Sequence, residues 1–168
     1  MVIIQLTKGK AAIIDDSDAD NASRYKWYAS NSGGNIWYAR TNLKDGKSLY
    51  LHRLIFKCKK GQEIDHRNHN TLDCRKENLR KATRSQNSMN HRIHKNNKSG
   101  FRGVCPYVGP GNNKWRATIV VNKKQISVGL FVTAIEAAIA YNAASIKYHG
   151  DFGYRNLIPK LNNSVKPE

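Results

Sequence analysis

The sequence predicts an α+β chain in two units. A β-rich N-terminal region leads into a strand–loop–strand–helix unit, and a three-stranded antiparallel sheet packed on one helix follows. Three observations predict this. Short β-prone runs separated by Gly, Asp and Asn turns fill the chain up to Leu51. The stretch His91–Gly100 is polar and basic, with Ile93 its one aliphatic residue, which is linker chemistry. Beyond it, alternating strand-like runs end in an alanine-rich segment that opens with a capping box, Thr133-Ala134-Ile135-Glu136.

The composition bounds the function before any motif is read. The chain has 168 residues, with 29 Lys plus Arg against 12 Asp plus Glu, a net charge of +17. A chain this basic repels itself and gains by meeting a polyanion, with nucleic acid the first candidate. Hydrophobic residues make up 39% of it and aromatics 9%, too apolar for a disordered basic tail. No apolar run approaches the roughly 20 residues of a membrane span. The N-terminus lacks the positive-then-apolar order of a signal peptide, so a cytoplasmic, non-secreted protein is expected. Cys58, Cys74 and Cys105 are odd in number and show no C-x-x-C spacing, which points to reduced thiols rather than a disulfide framework or zinc ribbon. The charge balance is +2 over residues 1–50, +9 over 51–100 and +6 over 101–168, so the basic excess lies in the middle and C-terminal parts.

Taken in order, Val2–Leu6, Ala11–Ile14, Ile36–Arg40 and Ser48–Leu51 are the early strands. Asp16-Ser17-Asp18-Ala19-Asp20 resembles the start of a calcium loop. Its sixth position is Asn21 rather than Gly and its twelfth is Trp27 rather than Glu, so it reads as a solvated acidic turn. Gly61-Gln62 is a turn, and Ile64 starts a strand ending in Asp65-His66. A polar loop runs from Arg67 to Glu77, Asn78–Thr83 is a second strand, and a helix follows from Ser85 to about His91, with Thr83 or Ser85 as N-cap.

Asp65 offers a hard oxygen ligand for a divalent cation, and Asn87 offers another. His66 can take a proton from water near neutral pH. Two oxygen ligands and one imidazole base make a minimal phosphodiester hydrolase, although an Asp-His pair by itself is weak evidence and reads more simply as a loop pair that caps a turn. The spacing adds to this. His52-Arg53-Leu54, Asp65-His66, Asn70 with Leu72-Asp73, Asn78-Leu79-Arg80, and Thr83 through Asn87 together resemble the HNH endonucleases, in particular phage-type homing endonucleases of the single-metal ββα fold. The resemblance implies that Asp65 and Asn87 hold one divalent cation, Mg²⁺ or Mn²⁺, and that His66 activates water. It also implies that Asn78 orients that histidine and steadies the loop. Asp73 is expected to fix the loop, and His52 to be a buried hydrogen-bonding histidine. His69, His91, His94 and His149 are expected to be solvated or to face phosphates.

In the second unit Phe101–Tyr107 reads as a strand broken at Pro106, 109–113 as a turn, and Lys114–Val121 as a strand. Within it Trp115, Ala117, Ile119 and Val121 face one way and Arg116, Thr118 and Val120 the other. In Lys124–Leu130, Ile126, Val128 and Leu130 share one face and Gln125 and Ser127 the other. The helix runs from Thr133 to about His149 and stops at Gly150. The bare face of the sheet is either an ordinary solvated face or a surface for the DNA major groove, which admits a β-ribbon.

Phe101-Arg102-Gly103-Val104, Lys114-Trp115-Arg116-Ala117, Val128-Gly129-Leu130-Phe131, Glu136-Ala137-Ala138 with Ala140-Tyr141, and Asn156-Leu157 resemble an AP2 domain, a family that binds DNA through its sheet. By position, that resemblance implies DNA contacts from Arg102, Cys105, Tyr107, Lys114, Arg116, Thr118, Gln125 and Ser127. The organisation expected is a nuclease domain over 1–92, a basic linker over 93–98, an AP2-like domain over 99–157 and a flexible tail over 158–168. The function expected is site-specific, metal-dependent cleavage of double-stranded DNA, with no membrane and no small-molecule cofactor. The alternatives are a non-catalytic DNA-binding regulator and an RNA-binding protein, which fit the charge but leave one or both motifs unused.

Overall fold

A computed structural model describes residues 1–58, 61–93, 96–110 and 114–159. The expected turn positions 111–113, residues 94–95 of the linker and the tail from residue 160 lie outside the described residues. The chain is a mixed α+β protein with several small antiparallel sheets, and it divides after Asn90 into two compact units.

The first unit opens with a hairpin of β1 (Val2–Gln5) and β2 (Ala11–Ile14), joined through a turn in which Lys8 and Gly9 both have positive φ. A short 3₁₀ turn (Asp16–Asp18) and α1 (Ala19–Ser23) follow. The acidic turn is not simply solvated. Asp15 Oδ2 accepts the Lys76 N–H at 2.8 Å and Asp18 pairs with the Lys76 ammonium at 2.9 Å. The hairpin also meets the polar loop: Ile13 bridges Asp73, donating to Leu72 O at 2.9 Å and accepting from Cys74 N at 2.8 Å. The N-terminal region thus braces the loop that follows His66.

A three-stranded sheet comes next, β3 (Tyr28–Asn31), β4 (Trp37–Asn42) and β5 (Ser48–Tyr50), in that order. Strand β3 had no clear sequence signal. Ala29, Ala39 and Leu49 turn toward a core shared with Leu6, Ala12, Ile14, Leu51 and Leu79. Leu51–Ile55 is a helix, α2, where the sequence suggested only an apolar segment. It buries Leu51 and His52. Strands β6 (Glu63–His66) and β7 (Leu79–Ala82) pair antiparallel with Asp65 opposite Arg80, and α3 (Arg84–Met89) closes the unit. Thr83 caps α3 in a capping box with Gln86, which ties the helix start to the end of β7.

The second unit is a three-stranded antiparallel sheet in the order β10–β9–β8 with one helix on it. Its elements are β8 (Val104–Pro106), β9 (Trp115–Val121), β10 (Lys124–Phe131) and α4 (Ala134–His149). Ala137, Ala138, Tyr141 and Ala144 of the helix pack on Val104, Ala117 and Ile119. Small residues let the helix lie close, and a Cβ at Gly103 would overlap the Tyr141 ring. The capping box of Thr133 and Glu136 forms as the sequence predicts.

One facing expectation is corrected. Between Ser127 and Gly129 the register of β10 shifts by a bulge, so Leu130 pairs with Arg116 and lies 45% exposed on the outer face. Phe131, opposite Trp115, takes its place against the core. A bulge adds one residue and thereby inverts the alternation beyond it, which a period-two reading cannot anticipate. His149 is a second correction: it is buried, and its Nε2 lies 2.8 Å from Val120 O.

Candidate active site

The strand pair β6–β7 places the chemistry. Alternation puts Glu63 and Asp65 on the face toward α3 and turns His66 to the other side. Asp65 is buried. Its Oδ2 accepts from Arg80 Nε at 2.7 Å and also from Arg80 Nη2, and both of its oxygens accept from Asn90 Nδ2, at 3.0 and 3.1 Å. Asn90 Nδ2 also reaches His66 O at 3.1 Å, so one amide ties the Asp-His pair to the end of α3. Asn87, one turn earlier on α3, donates Nδ2 to Glu63 Oε2 at 2.6 Å.

His66 is 6% exposed, and its Nε2 is buried with no hydrogen-bond partner among the described residues. Its ring meets His52 edge to face, with centroids 5.2 Å apart, and Tyr38 at 6.3 Å. Burial pushes the His66 imidazole down to about 4, against the pull of the Asp65 and Asp73 carboxylates. Burial, with the charges of His66 and Arg53, holds His52 at about 3. Both rings are therefore neutral at physiological pH. His52 is buried, as expected, but the contacts that hold it are rings: it stacks on Tyr50 at 5.5 Å and tilts against Tyr38 at 5.6 Å.

The loop between the strands is fixed by two buried side chains. Asn78 accepts from Asn68 N at 2.9 Å and donates to Asp73 O at 2.7 Å. These bonds steady the loop, and they go to its backbone rather than to the His66 ring. Asp73 takes a two-pronged contact from Arg75, at 2.8 and 2.7 Å, and a bond from Asn68 Nδ2 at 2.9 Å. The Arg75 bonds hold the Asp73 carboxyl below the usual carboxylate range despite burial. Cys74 beside it is buried, and burial with the Asp73 charge pushes its thiol up to about 12, so it is an inert thiol. All three cysteines are free.

Among the described residues no cluster of three or more His, Cys, Asp or Glu side chains is arranged to hold a metal. The oxygen donors do fit a hard cation that completes its shell with water and phosphate. A carboxylate offers about four lone-pair sites, and Arg80 and Asn90 leave Asp65 Oδ1 with capacity. The Asn87 amide nitrogen is committed to Glu63, which leaves its carbonyl oxygen as the group able to act as a ligand. Sequence reasoning missed Arg80, Asn90 and Glu63 as parts of the site. Hairpin register would have found Arg80, and helical spacing from Asn87 would have found Asn90.

Of the expected DNA contacts in the second unit, Arg116, Gln125 and Ser127 lie exposed, with Thr118 partly so. Cys105 is half-buried beside Arg116, and its thiol is 3.9 Å from Arg116 O. Tyr107 and Lys114 close the β8–β9 ends, with Tyr107 N 2.9 Å from Lys114 O. Arg102 is not on a strand: its guanidinium lies over the Tyr154 ring at 5.5 Å and donates to His91 O. His91 is exposed and His69 half-buried, while His94 lies outside the described residues.

Residues 49–89, which span His52 through Asn87, match the family model described as HNH endonuclease. A protein of Acanthamoeba polyphaga mimivirus, named as an uncharacterized HNH endonuclease, is 31% identical over 157 residues, covering 90% of this chain and 77% of that relative. No solved structure matches. No helix among the described residues is long and apolar enough to cross a membrane. With a strand pair, a capped helix and an Asp-His pair inside the matched segment, and similarity running over nine-tenths of its length, the chain belongs to the HNH endonuclease family.

Proposed function

We propose that the chain is a metal-dependent endonuclease of the homing type that hydrolyses phosphodiester bonds in double-stranded DNA. The observation that carries this reading is the His66 imidazole at the end of β6, neutral and buried beside Asp65, with Nε2 unpartnered. In this role Nε2 accepts the proton of the attacking water. The water oxygen bonds to phosphorus and the P–O3′ bond breaks; the leaving 3′-oxygen takes a proton from solvent water, giving a 5′-phosphate and a 3′-hydroxyl. Asp65 and Asn87 would hold a divalent cation, Mg²⁺ or Mn²⁺, which would stabilise charge on the leaving oxygen. Arg80 and Asn90 fix the Asp65 carboxylate, and Asn78 holds the loop that leaves His66.

The unit over 99–157 is read as an AP2-like DNA-binding domain, reached through a linker at 93–98. What supports this is its three-stranded sheet on one helix and an outer face bearing Arg116, Gln125 and Ser127. Duplex cleavage with and without Mg²⁺ tests the nuclease reading. Cutting is expected to need the cation and to stop in excess EDTA, with products that DNA ligase rejoins. Undiminished cutting in EDTA, or products with 3′-phosphates, would overturn it.

A further inference from the structure

The face of the β3–β4–β5 sheet turned away from the core carries no aliphatic side chain. Tyr28, Arg40 and Tyr50 form one row across the three strands, and Tyr38, Asn42 and Ser48 flank it. Tyr38 and Tyr50 back onto the His52 ring and, like Tyr28, keep part of their surface outward. Tyrosines, serines and an arginine are the residues with which proteins build contact surfaces, because they give large area and hydrogen bonds at low entropic cost. The Arg40 guanidinium lies over the Tyr50 ring at 5.9 Å and donates Nη2 to Ser48 Oγ. Its Nε is buried without a hydrogen-bond partner, and no carboxylate pairs with Arg40 among the described residues. The row is continuous with the candidate active site: Tyr50 stacks on His52, Tyr38 reaches His66, and the two tyrosines meet at 5.7 Å.

A planar guanidinium, half-desolvated, braced on a ring and without an acidic partner, suits a phosphodiester oxygen pair. We propose that this face is a DNA-backbone subsite of the nuclease unit, in which Arg40 holds a phosphate of the duplex flanking the one that is cut. The proposal rests on the reading of His66 as the cutting site. It assigns a role to Arg40, which lies outside the segment 49–89 that matches the HNH family model. The tyrosines would pack against the sugars on either side of that phosphate and fix its distance from His66.

The test is duplex binding by the full chain carrying His66→Ala, compared with the same chain carrying Arg40→Gln or Arg40→Lys as well. Loss of one charged hydrogen-bonding contact is expected to weaken binding roughly tenfold. It should also lower the slope of log affinity against log salt by about one unit. Arg40→Lys should restore the salt slope and only part of the affinity, because the charge returns without the planar fork. A series of duplexes with a single neutral methylphosphonate at each position near the cut gives the sharper result. One position should weaken the Arg40 chain and leave the Arg40→Gln chain unchanged. If Arg40→Gln fails to fold by circular dichroism, the same scan with Arg40→Lys decides, since the effect at that position must shrink. Equal affinities and an unaltered methylphosphonate pattern would overturn the proposal. Cutting by His66→Ala at the wild-type rate would instead overturn the reading of His66 and leave the Arg40 result standing on its own.

Discussion

The two units bury different chemistry. In the first, His52, Asp65, His66, Asp73, Asn78, Arg80 and Asn90 are all buried, and most are tied into hydrogen-bonded networks. In the second, the buried polar side chains among the described residues are Ser145, His149 and Asn156, each bonded to backbone at the margin of an apolar helix-on-sheet core. A buried ionic network contributes little net stability, because desolvation offsets most of its attraction. A unit that carries one is using it to hold groups in fixed positions. The second unit holds little of that kind inside and places its polar side chains on an outer sheet face. The contrast separates a unit that fixes its polar groups inside from one that places most of them outside.

The largest effect that would sharpen the contrast is on chemistry. His66→Ala is expected to slow duplex cleavage by on the order of 10² to 10⁴, the usual worth of a positioned general base, with little change in DNA affinity. The matching change in the second unit, His149→Ala, removes the contact with Val120 O and should lower stability while the cleavage rate of bound DNA stays near wild type. Single-turnover kinetics at saturating protein separates the two. If both variants lost the same fraction of rate, the division of labour between the units would be broken.

The next effect is on stability. Arg80→Leu leaves the Asp65 carboxylate buried without its cation and is expected to cost about 3–5 kcal/mol, measured by urea unfolding. Arg116→Leu on the exposed sheet face should fall within about 0.5 kcal/mol of wild type. Equal costs would mean that Asp65 is not held by Arg80 in solution.

Acid should also divide the units. His52 and His66 are pushed down to about 3 and about 4, while an unfolded chain titrates near 6.5. Their neutral forms are shared by the folded and unfolded states above pH 6.5. Below it the unfolded chain takes up protons first, so stability falls as pH drops toward 4, by up to about 1.4 kcal/mol per pH unit per group. The depressed Asp73 carboxyl acts in the same direction at lower pH, because its stabilisation is lost as it protonates. In the second unit burial raises the Tyr141 hydroxyl, which costs stability only in alkali, above the ordinary tyrosine value near 10. Amide hydrogen exchange across pH 7 to 4 should show protection lost first in β6 and β7. Loss beginning in α4 would reverse the assignment.

What could be read from the sequence follows the same division. Asp65 and His66 are adjacent, and Thr83 with Gln86, like Thr133 with Glu136, is a local pattern that fixes a helix start wherever it occurs. Local chemistry was therefore visible. Arg80 meets Asp65 only through strand register, Tyr38 meets His66 across 28 residues of chain, and Asp15 meets Lys76 across 61. No local pattern marks such pairs. The helix Leu51–Ile55 is too short to show a period, and its helicity comes from packing Leu51 into the core. Leu130 was read on the wrong face because alternation assumes an unbroken register, and a single bulge near Ser127 inverts it.

That bulge gives the smallest and most specific prediction. On the outer face of the second unit, Arg116 stands between Cys105 on one neighbouring strand and Leu130 on the other. If this face enters a major groove, Arg116 can reach the O6 and N7 of a guanine, and Leu130 beside it can meet only an apolar feature, which in that groove is a thymine methyl. Arg116→Ala is then expected to cost about 1–3 kcal/mol of binding and to relax preference at one base position. Leu130→Ala should cost less, and its cost should vanish where thymine is replaced by uracil, which lacks the methyl group. If Arg116 meets only phosphate, its loss is uniform across sequences and the salt slope drops by about one unit. Titration of the full chain and both variants against matched, shuffled and uracil-substituted duplexes distinguishes these outcomes. A uracil effect that persists in Leu130→Ala would mean that the methyl is read elsewhere and that the exposed leucine is incidental to the surface.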